Sequence, residues 1–379
     1  MINKIKSGIY IHSPFCTTKC HYCDFYSITD RLNDMDRLVD CIIKEIKNSK
    51  QLIDKKYQFD TIFFGGGTPS LMEASQIERI LNTLNDKYNL AGNLEVTLEC
   101  NPDSLELNKL IDFKSIGINR ISIGFQSLDN NILKVLSRDH SSKQCISSYE
   151  DARKAKIENI NIDLIYCIPE QTQKIWFNTL SNVIDLDPEH ISCYSLTVEK
   201  NTKLHSMVRN KEISMPSQDI DYEMFNLTRG TLTNNNFNQY EISNFSKTKM
   251  ECLHNLHYWT LDPYLAFGPS AYGFDGKKRW RNSRSLDQYM TMVENNMEPI
   301  VDIENLTSND SFNDLLMNGL RLNKGVHLKQ LENFYEGDFS LFKQKAKEKW
   351  QNLEIKNNRM KLDLRGQLIC DLITSDLFQ

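Results

Sequence analysis

The chain has 379 residues, of which 40% are hydrophobic and 25% are charged, which predicts a globular protein of more than one domain. Its 45 basic and 50 acidic residues are mixed along the sequence, so no strong field favours nucleic acid or an anionic membrane as a partner. No apolar stretch approaches the roughly 20 residues that span a bilayer, and the amino terminus lacks a signal-peptide pattern. We therefore expect a cytoplasmic protein without an integral membrane segment.

Short apolar runs rich in β-branched and aromatic residues alternate with helical periodicity along the first half of the chain. The predicted strands are Gly8–His12, Thr61–Phe64, Leu94–Leu98, Arg120–Ile123, Ile160–Tyr166 and His190–Leu196. The predicted helices are Met35–Lys50, Ala74–Tyr88, Ser104–Ile116 with Ser104 as its N-cap, Asn130–Leu136, Ser141–Lys156 and Lys174–Asp185. This alternation predicts parallel strands in a barrel-like or doubly wound α/β sheet, with ligands at the carboxyl ends of the strands.

The alternation ends near residue 200, and an irregular region is expected to follow. Beyond it the pattern predicts helices, a hairpin turning at Asn357-Asn358 and a closing helix, Gln367–Leu377. Helices with a small hairpin resemble a winged-helix module, but a basic recognition face is missing, so we expect a docking or lid domain. The predicted domains are 1–235, a connecting region 236–305 and a smaller helical domain 306–379.

Three of the ten cysteines, Cys16, Cys20 and Cys23, lie within eight residues, whereas the other seven are scattered. This distribution indicates a reducing compartment and one local metal site. Three thiolates on one loop suit three of the four irons of a 4Fe-4S cluster and leave one iron open. A zinc site with His21 as fourth ligand and a pair of redox thiols are the alternatives.

Polar and glycine-rich segments follow several of the predicted strands. Gly65, Gly66 and Gly67 precede Thr68 at the end of the second strand, where glycines let a small ligand approach the backbone. Polar side chains close to other strand ends are Glu99, Gln126, Arg138 and Asp163. Each of them taken alone is better explained by a cap, a turn or a surface ion pair, but their joint recurrence at strand ends favours a ligand site.

The cysteine spacing CxxxCxxC, with Tyr22 before the last cysteine, resembles the signature of the radical S-adenosylmethionine superfamily. The resemblance implies that the open iron chelates the amino and carboxylate groups of exchangeable S-adenosylmethionine. It also implies that an electron from the cluster can cleave the sulfonium and release a 5'-deoxyadenosyl radical.

Longer motifs, YIHSPFC, GGGTPS, TLECNPDS, GINRISIGFQS and NIDLIYCIPEQT, resemble the oxygen-independent coproporphyrinogen oxidase family over nearly the whole chain. That family implies an incomplete (β/α)6 TIM-type barrel followed by a smaller, winged-helix-like helical domain. Besides the three cysteines, the matching cofactor contacts are Tyr10, Tyr22, Gly66, Gly67, Thr68, Glu99, Gln126, Arg138 and Asp163. A carboxylate such as Glu99 or Asp163 suits ribose hydroxyls or the ammonium group, and Arg138 suits the carboxylate.

Two features favour the HemW-type haem chaperones of this family over its decarboxylases. Phe25 stands where the oxidases carry an additional cysteine, and residues 254–259 contain HNxxYW, which resembles the haem-binding signature of the chaperones. His254 is the first candidate for the haem ligand and His257 the second, with Tyr258 and Trp259 against the macrocycle. The alternative is that these histidines are buried structural residues. Arg279, Arg281 and Arg284 are candidate partners of the haem propionates.

The sequence therefore predicts a protein that binds a 4Fe-4S cluster, S-adenosylmethionine and haem, and passes haem to an acceptor such as a respiratory haem protein. Radical decarboxylation of coproporphyrinogen III is the competing hypothesis, so whether the chain is an enzyme stays open. A haem or cluster sensor that meets nucleic acid is a third hypothesis, against which the acidic composition speaks. Assembly into a homodimer stays open as well.

Overall fold

A computed structural model describes residues 4–379, and its central feature is a sheet of twelve strands. The first six strands confirm the predicted series: β1 Ile5–Ser13, β2 Tyr57–Gly66, β3 Leu90–Cys100, β4 Arg120–Gln126, β5 Asn159–Tyr166 and β6 His190–Ser195. They pair in chain order and all in parallel. Their carboxyl ends therefore meet at one end of the sheet, where ligand sites of such folds lie.

The crossover helices pack their apolar faces on this sheet. They are α1 Met35–Asn48, α2 Ala74–Lys87, α3 Leu107–Ser115, α4 Asn130–Val135, α5 Ser142–Lys154 and α6 Gln173–Asp185. The predicted cap at Ser104 is wrong, because α3 begins after Glu106. Ser104 instead belongs to a short 3₁₀ turn, in which its hydroxyl donates to the carbonyl oxygen of Asn101 (2.8 Å).

The expectation of an irregular region beyond residue 200 is wrong. This part contains α7 Lys203–Arg209, α8 Gln218–Asn234, β7 Asn238–Gln239, β8 Asn244–Ser246, α9 Leu253–Thr260, β9 Tyr264–Phe267, β10 Tyr272–Phe274, β11 Lys278–Asn282, α10 Leu286–Glu294 and β12 Ile300–Asn305. These strands extend the same sheet at both ends, and β9 lies parallel to β1. Most of them have five residues or fewer, too few for alternation to be recognised in the sequence.

The strand order is β12-β11-β10-β9-β1-β2-β3-β4-β5-β6-β8-β7. In the described residues β6 does not pair with β1 or β9, so the sheet keeps two free edges and the barrel is open. The predicted incomplete α/β barrel with a smaller helical carboxyl-terminal domain is confirmed.

The carboxyl-terminal domain has its own core, which includes Phe312, Leu316, Leu331, Met360 and Ile373. Its elements are α11 Ser308–Gly319, β13 Val326–His327, α12 Leu328–Glu332, α13 Phe339–Lys349, β14 Leu353–Lys356, β15 Arg359–Leu362, α14 Leu364–Leu368 and α15 Cys370–Asp376. The predicted hairpin is confirmed, and both turn residues, Asn357 and Asn358, have positive φ. The single closing helix is wrong, because Ile369 separates α14 from α15. The domain boundaries remain a prediction.

This domain packs against α9 and the β7–β8 turn. Arg321 stacks over the ring of Trp259 (4.8 Å to the centroid) and its Nη2 lies 3.4 Å from a carboxylate oxygen of Glu241. The helix α9 in turn covers the amino ends of β1–β3, next to Gly8 and Thr61. The domain therefore contacts both α9 and the β7–β8 turn, and its role as a docking or lid domain remains a prediction.

None of the helices within residues 4–379 combines the length and the apolar composition that a bilayer crossing requires.

A buried carboxylate, Glu45 on α1, ties the late strands to the early ones. It accepts hydrogen bonds from the backbone of Gly268 (2.9 Å), from Asn282 (2.6 Å) and from the hydroxyl of Tyr289 (2.6 Å). Burial raises the pKa of Glu45 to about 7 despite these donors. The protonated form is therefore the one that the folded state favours.

This raised pKa predicts a stability that depends on pH. Between pH 4.5 and 7 the unfolded chain releases the Glu45 proton whereas the folded chain keeps it, so the free energy of unfolding falls as the pH rises. We expect Glu45→Gln to remove a decline of about 3 kcal/mol, measured by urea unfolding at several pH values. The exposed Glu78→Gln serves as the control. Parallel pH profiles for the wild type and Glu45→Gln would contradict this assignment.

Candidate functional site

The cysteine loop follows the carboxyl end of β1 and is held by backbone hydrogen bonds. The amide of Gly67 donates to the carbonyl of Ser13 (2.7 Å), and the amide of Thr68 donates to the carbonyl of Phe15 (2.7 Å). The hydroxyl of Thr68 also lies 3.5 Å from the sulfur of Cys16. The glycine segment at the end of β2 therefore fixes the start of the cysteine loop.

This contact requires a glycine at position 67. A Cβ atom there would lie 2.5 Å from the carbonyl oxygen of Phe15 and 2.8 Å from the carbonyl carbon of Pro14. Gly66 has φ +112°, in the left-handed region that a side chain disfavours. The glycine run is thus needed for packing against the cysteine loop, in addition to any approach of a ligand.

A second set of contacts holds the middle of the loop. Arg138 donates to the hydroxyl of Tyr22 (2.8 Å) and to the side-chain oxygen of Asn101 (3.2 Å), and Asn101 donates to Thr68 (3.2 Å). The side chain of Gln126, at the end of β4, lies against Gly124 close to this guanidinium. Tyr22, Gly67, Thr68, Gln126 and Arg138 are therefore brought together with the cysteines, as the sequence predicts.

The three predicted ligand cysteines are partly exposed and none forms a disulfide. Burial raises the pKa of the Cys20 thiol, while the Arg138 guanidinium lowers it and the neighbouring Cys16 thiol raises it. Across residues 4–379, no three His, Cys, Asp or Glu side chains are arranged around a single point as one metal ion requires. A 4Fe-4S cluster differs from such a site, because each thiolate binds a different iron. The donor set, three thiols on one loop beside a cation, fits a cluster.

The other predicted residues line a cavity of about 200 Å³ inside the barrel. One wall is mainly aromatic and contains Tyr10, Phe25, Phe63, His254 and Tyr258, and the opposite wall is polar. The polar wall consists of Glu99, Arg120, Ser122, Asn161, Asp163 and Ser192. Gly66 links the two groups, because it lines the cavity and its amide donates to Glu99 (3.1 Å).

The two carboxylates of the cavity differ in their surroundings. Burial, and then the negative charge of Asp163, raise the pKa of Glu99 to about 8. Asp163 instead accepts hydrogen bonds from Ser122 (2.6 Å) and Asn161 (2.9 Å). At neutral pH Glu99 is therefore mostly protonated and can donate a hydrogen bond to a ligand.

His254, the first candidate haem ligand, lies under the barrel and is only 1% exposed. Its Nδ1 is 2.8 Å from the hydroxyl of Thr61, and its Nε2 is 2.8 Å from the hydroxyl of Tyr258. The ring also stacks on Phe63, with centroids 5.0 Å apart. Both ring nitrogens are engaged, which is the arrangement of a buried structural histidine. Haem ligation by His254 stays a prediction, and it requires the hydrogen bond at the ligating nitrogen to break.

His257, the second candidate, is engaged in the same way. Its two nitrogens lie 2.8 Å from Asp60 and 3.1 Å from Asp262. Although burial lowers the pKa of His257, these two carboxylates outweigh it and raise the pKa to about 9. A protonated imidazole offers no lone pair to iron. Glu95 further holds α9 by accepting from the backbone amides of Leu253 (3.3 Å) and His254 (3.2 Å).

Two of the three arginines suggested as partners of the haem propionates form ion pairs with carboxylates of the protein itself. Arg279 on β11 pairs with Glu304 of β12 and with Asp314 of α11, and Arg281 on β11 pairs with Asp302 of β12. The cavity residues that the sequence did not single out include Phe63 and Arg120. Arg120 could have been recognised, because it is a basic residue at the start of a strand. All seven residues of that strand are buried.

Comparison with known proteins agrees with the fold and the motifs. The Radical SAM superfamily matches residues 10–181. "Heme chaperone HemW" from Bacillus subtilis is 34% identical over 86% of this chain and 86% of its own length. The protein of the same name from Lactococcus lactis is 32% identical over 89% of this chain and 87% of its own.

Among solved structures, the Escherichia coli coproporphyrinogen III oxidase HemN, described as a radical SAM enzyme, superposes with a TM-score of 0.84. The match covers 99% of this chain and 91% of that one at 21% identity, which shows a shared fold. From the extent and identity of the sequence matches, the chain belongs to the HemW family of the radical SAM superfamily.

Proposed function

We propose that this protein is a haem chaperone that binds a 4Fe-4S cluster, S-adenosylmethionine and haem and delivers haem to an acceptor protein. The observation that carries the proposal is the similarity to relatives named as haem chaperones, which extends over 86% or more of the chain. The cysteine loop and the barrel cavity described above support it.

Cys16, Cys20 and Cys23 are the proposed ligands of three irons, and the amino-acid part of S-adenosylmethionine binds the fourth. The bound pair supplies reductive cleavage of the sulfonium. Arg138 is next to the loop and suits the carboxylate of this cofactor, whereas Gly66, Gly67 and Thr68 offer backbone groups to its ammonium.

The remaining proposed contacts come from the cavity and the strand ends. Tyr10 provides an aromatic wall, and Gln126 provides an amide beside Arg138. Asp163 is held in one orientation by Ser122 and Asn161, so its oxygens can accept from ribose hydroxyls without rearranging. Glu99 keeps a proton at neutral pH and orients a ligand as a donor.

His254 is the proposed haem ligand, after one of its ring nitrogens is released from Thr61 or Tyr258. Its environment favours the neutral imidazole that iron requires, because burial lowers the pKa of His254 well below its ordinary value. The acceptor that we propose is a haem protein such as a respiratory one. Radical decarboxylation of coproporphyrinogen III, the competing hypothesis from the sequence, is an outcome of the same test.

The first prediction concerns haem binding. After anaerobic reconstitution with iron and sulfide, we expect the protein to bind haem stoichiometrically and His254→Ala to weaken this binding. The measurement is the change of absorbance during haem titration. Cys16→Ala should lose the cluster absorbance and serves as the control for cluster dependence. Conversion of coproporphyrinogen III without haem binding would overturn the proposal in favour of the oxidase.

A second prediction follows from the two hydrogen bonds of His254. Thr61→Val with Tyr258→Phe removes both partners while keeping the shape of the side chains. A neutral hydrogen bond contributes about 1 kcal/mol, and the wild type loses the one at the ligating nitrogen when haem binds, so we expect the haem affinity of the double variant to be roughly fivefold higher. The measurement is haem titration of the double variant against the wild type and against the triple variant with His254→Ala. An unchanged affinity would show that His254 is not released when haem binds.

A third prediction concerns the contact between the glycine run and the cysteine loop. Gly67→Ala places a methyl group against backbone atoms of Pro14 and Phe15, so the loop must shift. We expect less iron and sulfide per chain after reconstitution, with an unchanged circular dichroism spectrum. Gly92→Ala is the matched control, because no atom lies within 4 Å of a Cβ atom at that position. Full cluster loading of Gly67→Ala would contradict the argument.

A further inference from the structure

Arg120 is a buried cation that faces the barrel cavity. It is the first residue of β4, it is 2% exposed, and its side chain lines the cavity together with Ser122, Asn161 and Asp163. Burial of a guanidinium is costly unless its N–H groups are hydrogen-bonded. Hydrogen-bond acceptors for the N–H groups of Arg120 are therefore expected among the residues around it.

Protein groups do not satisfy it. Within residues 4–379 the Nε of Arg120 has no hydrogen-bond partner, and the influence of Glu95 and Asp163 on its pKa is through space, without a hydrogen bond. Both carboxylates are already engaged, Glu95 by the first amides of α9 and Asp163 by Ser122 and Asn161. Arg138 differs, since it donates to Tyr22 and Asn101.

The unpaired guanidinium of Arg120 is suited to bind the carboxylate of a ligand. A guanidinium presents paired N–H donors in a plane, a geometry that matches a carboxylate better than any other common group. The charges that face the cavity are compatible with such a ligand. Asp163 is the negatively charged residue of the cavity lining, and Glu99 is mostly protonated at neutral pH. Glu95 acts on Arg120 from outside the lining.

The size of the cavity limits what enters. Its volume of about 200 Å³ is below the roughly 300–1,000 Å³ of sites that enclose a drug-sized ligand. The cavity can therefore hold a side chain of a large ligand, but not a porphyrin macrocycle. Two exposed aromatic residues also line it, Phe25 (65% exposed) and Tyr194 (40%), and they offer flat apolar surface to the rest of the ligand.

We propose that Arg120 anchors a carboxylate arm of a ligand that enters the barrel cavity, and that this arm is a propionate of haem. The assignment of the arm rests on the proposed haem binding. The same chemistry is present in S-adenosylmethionine, whose carboxylate Arg138 can meet beside the cysteine loop. The two sources of a carboxylate are separated by the ligands chosen for the test.

The test compares four ligands on the full-length protein, reconstituted with its cluster under anaerobic conditions: haem, haem dimethyl ester, S-adenosylmethionine and its decarboxylated form. The variant is Arg120→Lys, which keeps the positive charge near Glu95 and Asp163 but loses the planar fork. Arg153→Lys on α5 is the control, because this arginine donates to Tyr149 and Glu189 within the protein. Thermal unfolding of each variant checks that it is folded.

The expected result is that the wild type binds haem roughly tenfold or more tightly than the dimethyl ester, because a charge-assisted pair is lost in the ester. Arg120→Lys should bind haem less tightly than the wild type and lose most of the preference over the ester, because the ammonium keeps the charge but not the paired N–H donors, while Arg153→Lys behaves as the wild type. Affinity for S-adenosylmethionine should be the same in all three proteins.

Other results are equally decisive. If Arg120→Lys weakens S-adenosylmethionine but not its decarboxylated form, the anchor holds the cofactor carboxylate and the propionate assignment is overturned. Wild-type haem binding without preference over the ester, and without an effect of Arg120→Lys on any ligand, overturns the anchor but leaves the proposed function intact. Absence of haem binding by the wild type overturns the proposed function and with it the propionate assignment, and the cofactor pair then decides the anchor by itself.

Discussion

The close backbone contact between the ends of β1 and β2 is the constraint on which the cofactor end of the barrel depends. The amides of Gly67 and Thr68 donate to carbonyls of Ser13 and Phe15, immediately before Cys16. Because backbone atoms approach this closely, a side chain at position 67 has no room. The cysteine loop is therefore positioned by the sheet, and a rigid element rather than a free loop presents the three thiols.

The interior of the barrel is polar where a core of this size is usually apolar. Glu99, Asp163 and Arg120 share one cavity with Tyr10 and Phe63. Buried polar groups of this kind reduce stability unless they are hydrogen-bonded. Asp163 is satisfied, Glu99 accepts a proton, and Arg120 keeps free donors. An interior of this composition is suited to a polar ligand.

The helix α9 connects the two domains through buried polar contacts on one side and aromatic packing on the other. Glu95, Thr61 and Asp60 hold it to the barrel, and Trp259 packs under Arg321 of the carboxyl-terminal domain. The carboxyl-terminal domain is therefore in direct contact with the helix that carries His254, so a movement of the domain would also move that helix. Residues proposed for cofactor binding and for haem binding share one cavity inside the barrel.

The sequence by itself determined the six parallel strands and the cysteine loop, because strand periodicity and short local motifs are properties of neighbouring residues. The incomplete barrel and the cofactor contacts were predicted from the resemblance to a known family. It did not determine the short strands β7–β12, whose few residues leave no periodic signal. Only the tertiary structure decided the state of His254 and His257, since Thr61 and Asp60, which bind them, are almost 200 positions away. The same holds for Arg120, because satisfaction of a buried charge depends on groups from many strands.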